Sequence, residues 1–554
     1  MNDAFPGAAG RDPADAPRRR APRTPDGIPL TELGEGDASG VFRLDIAWRA
    51  AEVLATRKRP PLPRWVDAAV VVLLSLYLAG GALAGLAAAP FTVAEGAQLA
   101  LVRDGRLLVT DPATLLPGGD DSQPDASLRL VEGAFTRYGA AGGWYLAGGR
   151  AADVPALPVM DSPPGDDAPP EGPLIAARAA PSLLAAVAVP ILYLLGRRLG
   201  GRRVALAAAV LAFLHPAVLL AGRQAGDAGA VLTFGLAAVL VAVAVADRLA
   251  RGENPSAGRW AALAVLCGCA LAAGPGALGF TAGVVAWVVA GFGETYVRRR
   301  REIIAAGPVE APRTPPPIGT PVRGAGMPAG GPLTPPGGVP RLVAADAPDR
   351  PTWLVPPGSV WSFVLALAGA VFLWVAVSPS LWGWLPERLS TRASERTALV
   401  AQGLLPDTGD PGRLAALGRL LAGPFAFAPD HVPGDRWWGG LPLGWGVALV
   451  LAPLTLAGVA ALVAAASSPA PAGRAPALGA AWRWLAERQM SRRNAAALLS
   501  WALAVAVCAL LWPSERSADA VPLIPVASLL AAVALLVLST WLSLARRRLA
   551  HRPR

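Results

Sequence analysis

The chain has 554 residues, 53% hydrophobic and 16% charged, with a net charge of +11 and a mean hydropathy of +0.44. Apolar runs of about 20 residues recur, the length a helix needs to cross a bilayer, so composition excludes a soluble enzyme and sets the fold class as an all-α polytopic membrane protein. Arginines cluster at the ends of these runs, which fits positive charge retained on the cytoplasmic side of a membrane and argues against a nucleic-acid-binding face.

Residues 1–60 are polar and rich in Pro and Arg, without the apolar core of a signal peptide near the terminus. Val41–Thr56 reads equally well as a surface amphipathic helix or as a solvated one. A membrane core is expected over residues 61–297. Its first span, Val66–Ala89, leads into an outer loop, residues 90–173, with twelve acidic residues against five arginines. Further spans are expected at Leu174–Leu195, Val204–Gly222, Ala228–Ala246, Trp260–Gly276 and Leu278–Phe292. The last two form a tight pair around AGPGA that closes at Arg298–Arg301.

Residues 298–357 repeat Pro-Pro and Gly-Gly and read as a cytoplasmic linker. The C-terminal part, residues 358–545, carries spans at Val360–Val377, Leu443–Ala466, Ala495–Leu511 and Val521–Leu544. It contains a second outer loop, residues 378–441, and a basic tail follows at 546–554. The pattern predicts about ten or more transmembrane helices with both termini cytoplasmic. Trp65, Trp260, Trp361, Trp382, Trp384, Trp437, Trp438 and Trp512 fall near span ends, where interfacial anchors sit. Cys267, Cys269 and Cys508 lie inside apolar runs and read as packing residues.

Two interruptions of apolar sequence differ in kind. GRRLGGRR (Gly196–Arg203) is a cytoplasmic basic turn. GRQAGD (Gly222–Asp227) falls on the opposite face and brings Arg223 and Asp227 to a membrane boundary, where ionisable groups are costly and mark a functional site. Walker, dinucleotide, GxSxG and HExxH motifs are absent from the sequence. A transferase built on the outer loops therefore needs a membrane-borne activated donor.

The order of features resembles the GT-C glycosyltransferases that use polyprenyl-phosphate sugars, particularly bacterial aminoarabinose transferases and protein mannosyltransferases. FTVAEGAQLALVRDGRLLVTDP (Phe91–Pro112) stands where that family opens its first outer loop with an Asp-Glu pair. RAAPSLL places Arg178 before the second span, GRRLGGRR matches a basic turn, and GRQAGD resembles S-R-x-A-x-x-D. LAAGP (Leu271–Pro275) resembles L-x-K-G-P, and VPLIPVASLLAA resembles the opening of a late span. Three departures stand out: Ala94 and Ala273 occupy the family's Asp and Lys positions, and the K-P-P-L stretch is not recognisable.

The resemblance implies a GT-C-like bundle in a bacterial inner membrane. It implies transfer of a sugar from a polyprenyl-phosphate carrier to an extracytoplasmic acceptor, with membrane lipids as the surroundings. Glu95 is the candidate catalytic residue, as general base or as holder of a divalent metal ion; the alternative is an ordinary interfacial carboxylate. Arg178, Arg223 and Asp227 are candidates for binding the carrier phosphate. Against that, Arg178 could snorkel, and Arg223 and Asp227 form a simple i, i+4 ion pair if helical. His215 reads as a cap or packing residue, and His431 with Trp437 and Trp438 as interfacial. The acids Asp120, Asp121, Asp166 and Asp167 read as solvated loop. A catalytically inactive scaffold is the alternative favoured by Ala94 and Ala273; a transporter or flippase is the third reading.

Overall fold

The computed structural model describes residues 64–87, 91, 93–116, 124–155, 169–215, 218, 222–305, 354–401, 443–466, 490–511 and 523–550. The expected surface helix at Val41–Thr56, Asp120, Asp121, Asp166, Asp167, His431, Trp437, Trp438, Trp512 and most of the linker and second loop lie outside these residues. The chain forms two units, Met1–Val66 and Asp67–Arg554, and the second carries the helical bundle.

All regular structure among the described residues is helical. After α1 (Arg64–Ala84) come the four short helices of the first loop, α2 (Val93–Ala100), α3 (Arg103–Thr110), α4 (Pro124–Val131) and α5 (Ala134–Leu146). The bundle continues with α6 (Glu171–Phe213), α7 (Ala228–Ala250), α8 (Ala257–Ala273) and α9 (Ala277–Ala305). It ends with α10 (Ser359–Val377), α11 (Leu385–Ala401), α12 (Leu443–Ala466), α13 (Arg492–Leu511) and α14 (Leu523–Ala550). Among the described residues, six helices (α1, α6, α7, α9, α10 and α14) are long and apolar enough to cross a membrane. The chain is an all-α multi-pass membrane protein.

The expected second span (Leu174–Leu195) and the first ten residues of the expected third (Val204–Phe213 of Val204–Gly222) lie in one helical stretch, α6, and Gly201 turns it with φ 82°. That left-handed conformation costs glycine little and other residues more. Gly196 meets the backbone of Ala205. Nine residues of straight helix would hold those two about 13 Å apart, so the basic turn folds the chain back on itself.

Ion pairs identify the two ends of the bundle. Asp67 on α1 receives Arg197 at 2.9 Å, Arg202, and the Tyr193 hydroxyl. At the C-terminal end of α7, Asp247 meets Arg198 at 3.8 Å and Arg493 of α13, which also reaches Glu294 of α9 at 3.2 Å. The GRRLGGRR turn thus shares one end with the start of α1, the start of α13 and the exits of α7 and α9. The first loop occupies the other.

Between the ends, α7 packs on α6, α8 and α9, while α8 packs on α10, α9 on α13, and α14 on α6 and α12. Small residues let the backbones approach. On α9, Gly283 makes room for the Trp501 ring of α13 and Gly279, one turn earlier, for Val505; the Trp501 Nε1 donates to the Gly279 carbonyl at 3.1 Å. Trp260 departs from its expected role as an interfacial anchor. It is buried with its ring 6.1 Å from that of Phe363, because α8 is wedged between α7 and α10. Trp65, Trp361, Trp382 and Trp384 are exposed.

The first loop is a folded cap. Leu99, Val102, Ala140, Ala141, Trp144 and Ala177 form one small core, and Ala97, Leu101, Leu128, Val131 and Leu399 form another. Gly133, just before α5, lies against the carbonyls of Ala272 and Ala273 at the end of α8. A side chain has no room there. Gly133→Ala is expected to lower stability by about 1–3 kcal/mol, the usual cost of overpacking, seen as a lower melting temperature of the reconstituted protein.

Candidate functional site

The first span ends in Gly81-x-x-x-Gly85, and the chain leaves it through Leu86. The next helix, α2, carries Glu95 in its first turn, where a negative charge suits the helix dipole. Arg178 projects from the first turns of α6. Glu95 is 2% exposed and Arg178 1%, so Arg178 does not snorkel. Its Nε and Nη2 donate to Glu95 Oε1 and Oε2, each at 2.6 Å. This is the bidentate fork that makes guanidinium–carboxylate pairs strong and directional. Nη1 donates to the Leu86 carbonyl, and the Ala225 amide donates to Glu95 Oε1 at 2.9 Å.

Ala225 belongs to the GRQAGD segment, which forms a bent turn over Gly222–Asp227 before α7 begins at Ala228. The i, i+4 helical spacing of Arg223 and Asp227 is therefore not realised. The Arg223 guanidinium presses against Gly85, where any side chain would overlap it, and Nη2 donates to the Gly81 carbonyl at 3.4 Å. Burial pulls the Arg223 guanidinium below its ordinary pKa. Asp227, at the far end of the turn, directs its carboxylate against Gly274 after α8. The Ser182 hydroxyl, one turn beyond Arg178, donates to the Gly222 carbonyl and to the Arg178 carbonyl, the latter at 2.9 Å.

The structure thus gathers Glu95, Arg178 and the Arg223 turn at the end of α1, and sets Asp227 beside the end of α8. His215 is buried, its amide donating to the Ala212 carbonyl at 3.3 Å just past α6, as expected of a packing residue. Glu95 faces the Arg178 guanidinium and the Ala225 amide. Among the described residues no group of three or more His, Cys, Asp or Glu is placed to hold a metal ion.

A second polar cluster was not anticipated. Asp104 pairs with Arg129 at 2.9 Å and Arg137 at 3.4 Å, joining α3, α4 and α5. Gln98, one turn after Glu95, donates to Glu132. The second loop clamps onto this cluster: Ser380 donates to the Arg129 carbonyl at 3.0 Å, Arg392 to the Val131 carbonyl, and Ser127 to Glu395 at 2.6 Å. The only signal in the sequence was Gln98 at helical spacing from Glu95.

Residues 143–292, about a quarter of the chain, match the family model described as dolichyl-phosphate-mannose-protein mannosyltransferase. The match contains Arg178, Arg223, Asp227 and the LAAGP stretch, and supports the likeness to GT-C membrane glycosyltransferases with polyprenyl-phosphate-linked donors. No curated relative and no solved structure matches the chain.

Removing one member of a buried, hydrogen-bonded ion pair leaves the other charge stranded. Arg178→Ala is expected to cost about 3–5 kcal/mol. The double variant Glu95→Leu/Arg178→Met is expected to recover much of that loss, and unfolding of the reconstituted variants measures both.

Proposed function

We propose that the chain is a membrane glycosyltransferase that moves a sugar from a polyprenyl-phosphate carrier to an acceptor outside the cytoplasm of a bacterial cell. In this reading about ten helices cross the inner membrane and both termini are cytoplasmic. The observation that carries it is the joining of Glu95, Arg178 and the Arg223 turn at the end opposite the basic turn, in the order of the family's motifs.

The chemistry follows from charge. The Arg178 fork is satisfied by Glu95. A carrier phosphodiester offers the same fork two non-bridging oxygens, and gains a second negative charge only as the sugar leaves; a second guanidinium, that of Arg223, lies close to the end of the same span. Phosphate taking over Arg178 would release the Glu95 carboxylate. Glu95 would then accept the proton of an acceptor hydroxyl as its oxygen bonds to the sugar's anomeric carbon and the bond from that carbon to the phosphate oxygen breaks. Polyprenyl phosphate departs with its negative charge held by the two guanidiniums. Asp227, against Gly274, positions the turn that carries Arg223.

The inactive scaffold has an observation in its favour too. Ala94 and Ala273 lack the family's Asp and Lys, and both Glu95 oxygens are already engaged. Transfer from a labelled polyprenyl-phosphate sugar in reconstituted membranes decides between the two. Loss of a general base costs on the order of a hundred- to ten-thousand-fold, so Glu95→Gln is expected to reduce transfer by that factor while Ala94→Asp raises it. Arg223→Ala is expected to weaken carrier binding without loss of expression. Carrier binding with no transfer from any donor would leave the scaffold; wild-type transfer indifferent to Glu95→Gln would move the site elsewhere.

Orientation has its own test. A cysteine at Gly118 is expected to react with an impermeant reagent from outside, and one at Gly324 only after the membrane is opened.

A further inference from the structure

A groove of about 430 Å³ opens where Leu116 of the first loop faces the start of α11 in the second. Its other walls are Trp382, Trp384, Glu387, Arg388 and Thr391. Glu387, Arg388 and Thr391 lie on one face of the first turns of α11, and Trp384 immediately precedes the helix, its carbonyl accepting from the Arg388 amide at 3.1 Å. Gly383, with φ 118°, lies between the two tryptophans in backbone territory that favours glycine. The Trp382 ring is held by its Nε1 donating to the Val375 carbonyl at 2.9 Å. Nevertheless Trp382 is 45% exposed and Trp384 71%.

We propose that this groove binds a neutral saccharide and, on the transferase reading above, that it holds the glycan part of the acceptor. A pyranose ring has C–H faces that stack on indole and a rim of hydroxyls that both donate and accept. The groove is lined by two indoles, a carboxylate that accepts, a guanidinium that donates and the Thr391 hydroxyl, which donates to the Glu387 carbonyl at 2.9 Å and keeps its lone pairs to accept. Its one acid and one base leave no net charge to favour an ionic ligand, and Glu387 opposes a phosphate. An acyl chain would strip water from both charged groups without replacing their hydrogen bonds. The volume lies within the ~300–1,000 Å³ of small-molecule sites.

The groove is also connected to the Glu95 node. Further along α11, Arg392 donates to the Val131 carbonyl, and Leu399 packs on Ala97 and Leu101 of the α2 segment that carries Glu95. A sugar seated at the start of α11 therefore rests on the same folded block as the carboxylate proposed to receive its proton.

The full chain in nanodiscs of phosphatidylethanolamine and phosphatidylglycerol is titrated with maltose, lactose and α-mannobiose, and binding is read by saturation-transfer NMR on the sugar. Saturable transfer to at least one sugar is expected, weakened about tenfold by Trp384→Ala through loss of a stacking face and largely kept by Trp384→Phe. If Trp384→Ala does not fold, Glu387→Gln replaces it and is expected to weaken binding several-fold. No saturable signal with any of the three sugars would overturn the site. So would equal binding by folded Trp384→Ala, or displacement of the sugar by inorganic phosphate. Sugar binding that persists in Glu95→Gln while transfer falls supports both proposals. Binding in a wild-type protein that transfers nothing keeps the saccharide site and removes its acceptor role.

Discussion

The fork between Arg178 and Glu95 ties four separate stretches of chain into one point. Two buried charges lose their hydration, and that loss is recovered only when geometry and hydrogen bonding are nearly complete. Here Nε and Nη2 take both carboxylate oxygens at 2.6 Å, Nη1 takes the Leu86 carbonyl, and Ala225 supplies a further donor to Glu95. The end of the first span, the start of the loop, the start of α6 and the turn before α7 must all arrive for the pair to be satisfied. A pair of this kind acts as a register pin, because shifting any one element leaves a charge stranded.

Close approach by small residues makes that convergence sterically possible. Gly85 gives way to the Arg223 guanidinium, Gly133 to the Ala272 and Ala273 carbonyls, Gly229 to the Pro181 carbonyl and Gly274 to the Asp227 carboxylate. In lipid, where apolar side chains gain little from leaving one another, packing of this sort has to carry helix association. These glycines among the described residues are structural in a specific sense, placed where backbones or charged heads pass each other.

Helices were the most legible part of the sequence. Apolar length and flanking arginines located the cores of α7, α8, α10, α12 and α13 to within a few residues, because a membrane helix must satisfy its backbone internally and so declares itself by composition. The turn at Gly201 was legible as a basic break. Arg178 and Arg223 stood out as charges interrupting apolar runs and Glu95 through the family's acidic pair just past the first span, which is how their convergence could be anticipated. Their partners could not be. The amide of Ala225 and the carbonyls of Leu86 and Gly81 carry no side-chain signature, and neither does the seat that Gly85 provides. The first loop was illegible for another reason: α2 to α5 are short, and three of them, α2, α4 and α5, pack into small tertiary cores and show no pattern long enough to read.

Burial of the Glu95–Arg178 pair also bears on what activity would demand. A carboxylate with both oxygens engaged is a poor proton acceptor until one donor leaves, and the donor best able to leave is a side chain that a second anion can share. Guanidinium exchanges carboxylate for phosphate without changing its planar geometry, whereas the Ala225 amide is fixed by the backbone of its turn. On the proposed transferase reading an ordered sequence would follow from this asymmetry, with carrier first and deprotonation second. In that order the base is exposed only when the leaving group is already gripped, so that carrier binding itself would gate the chemistry.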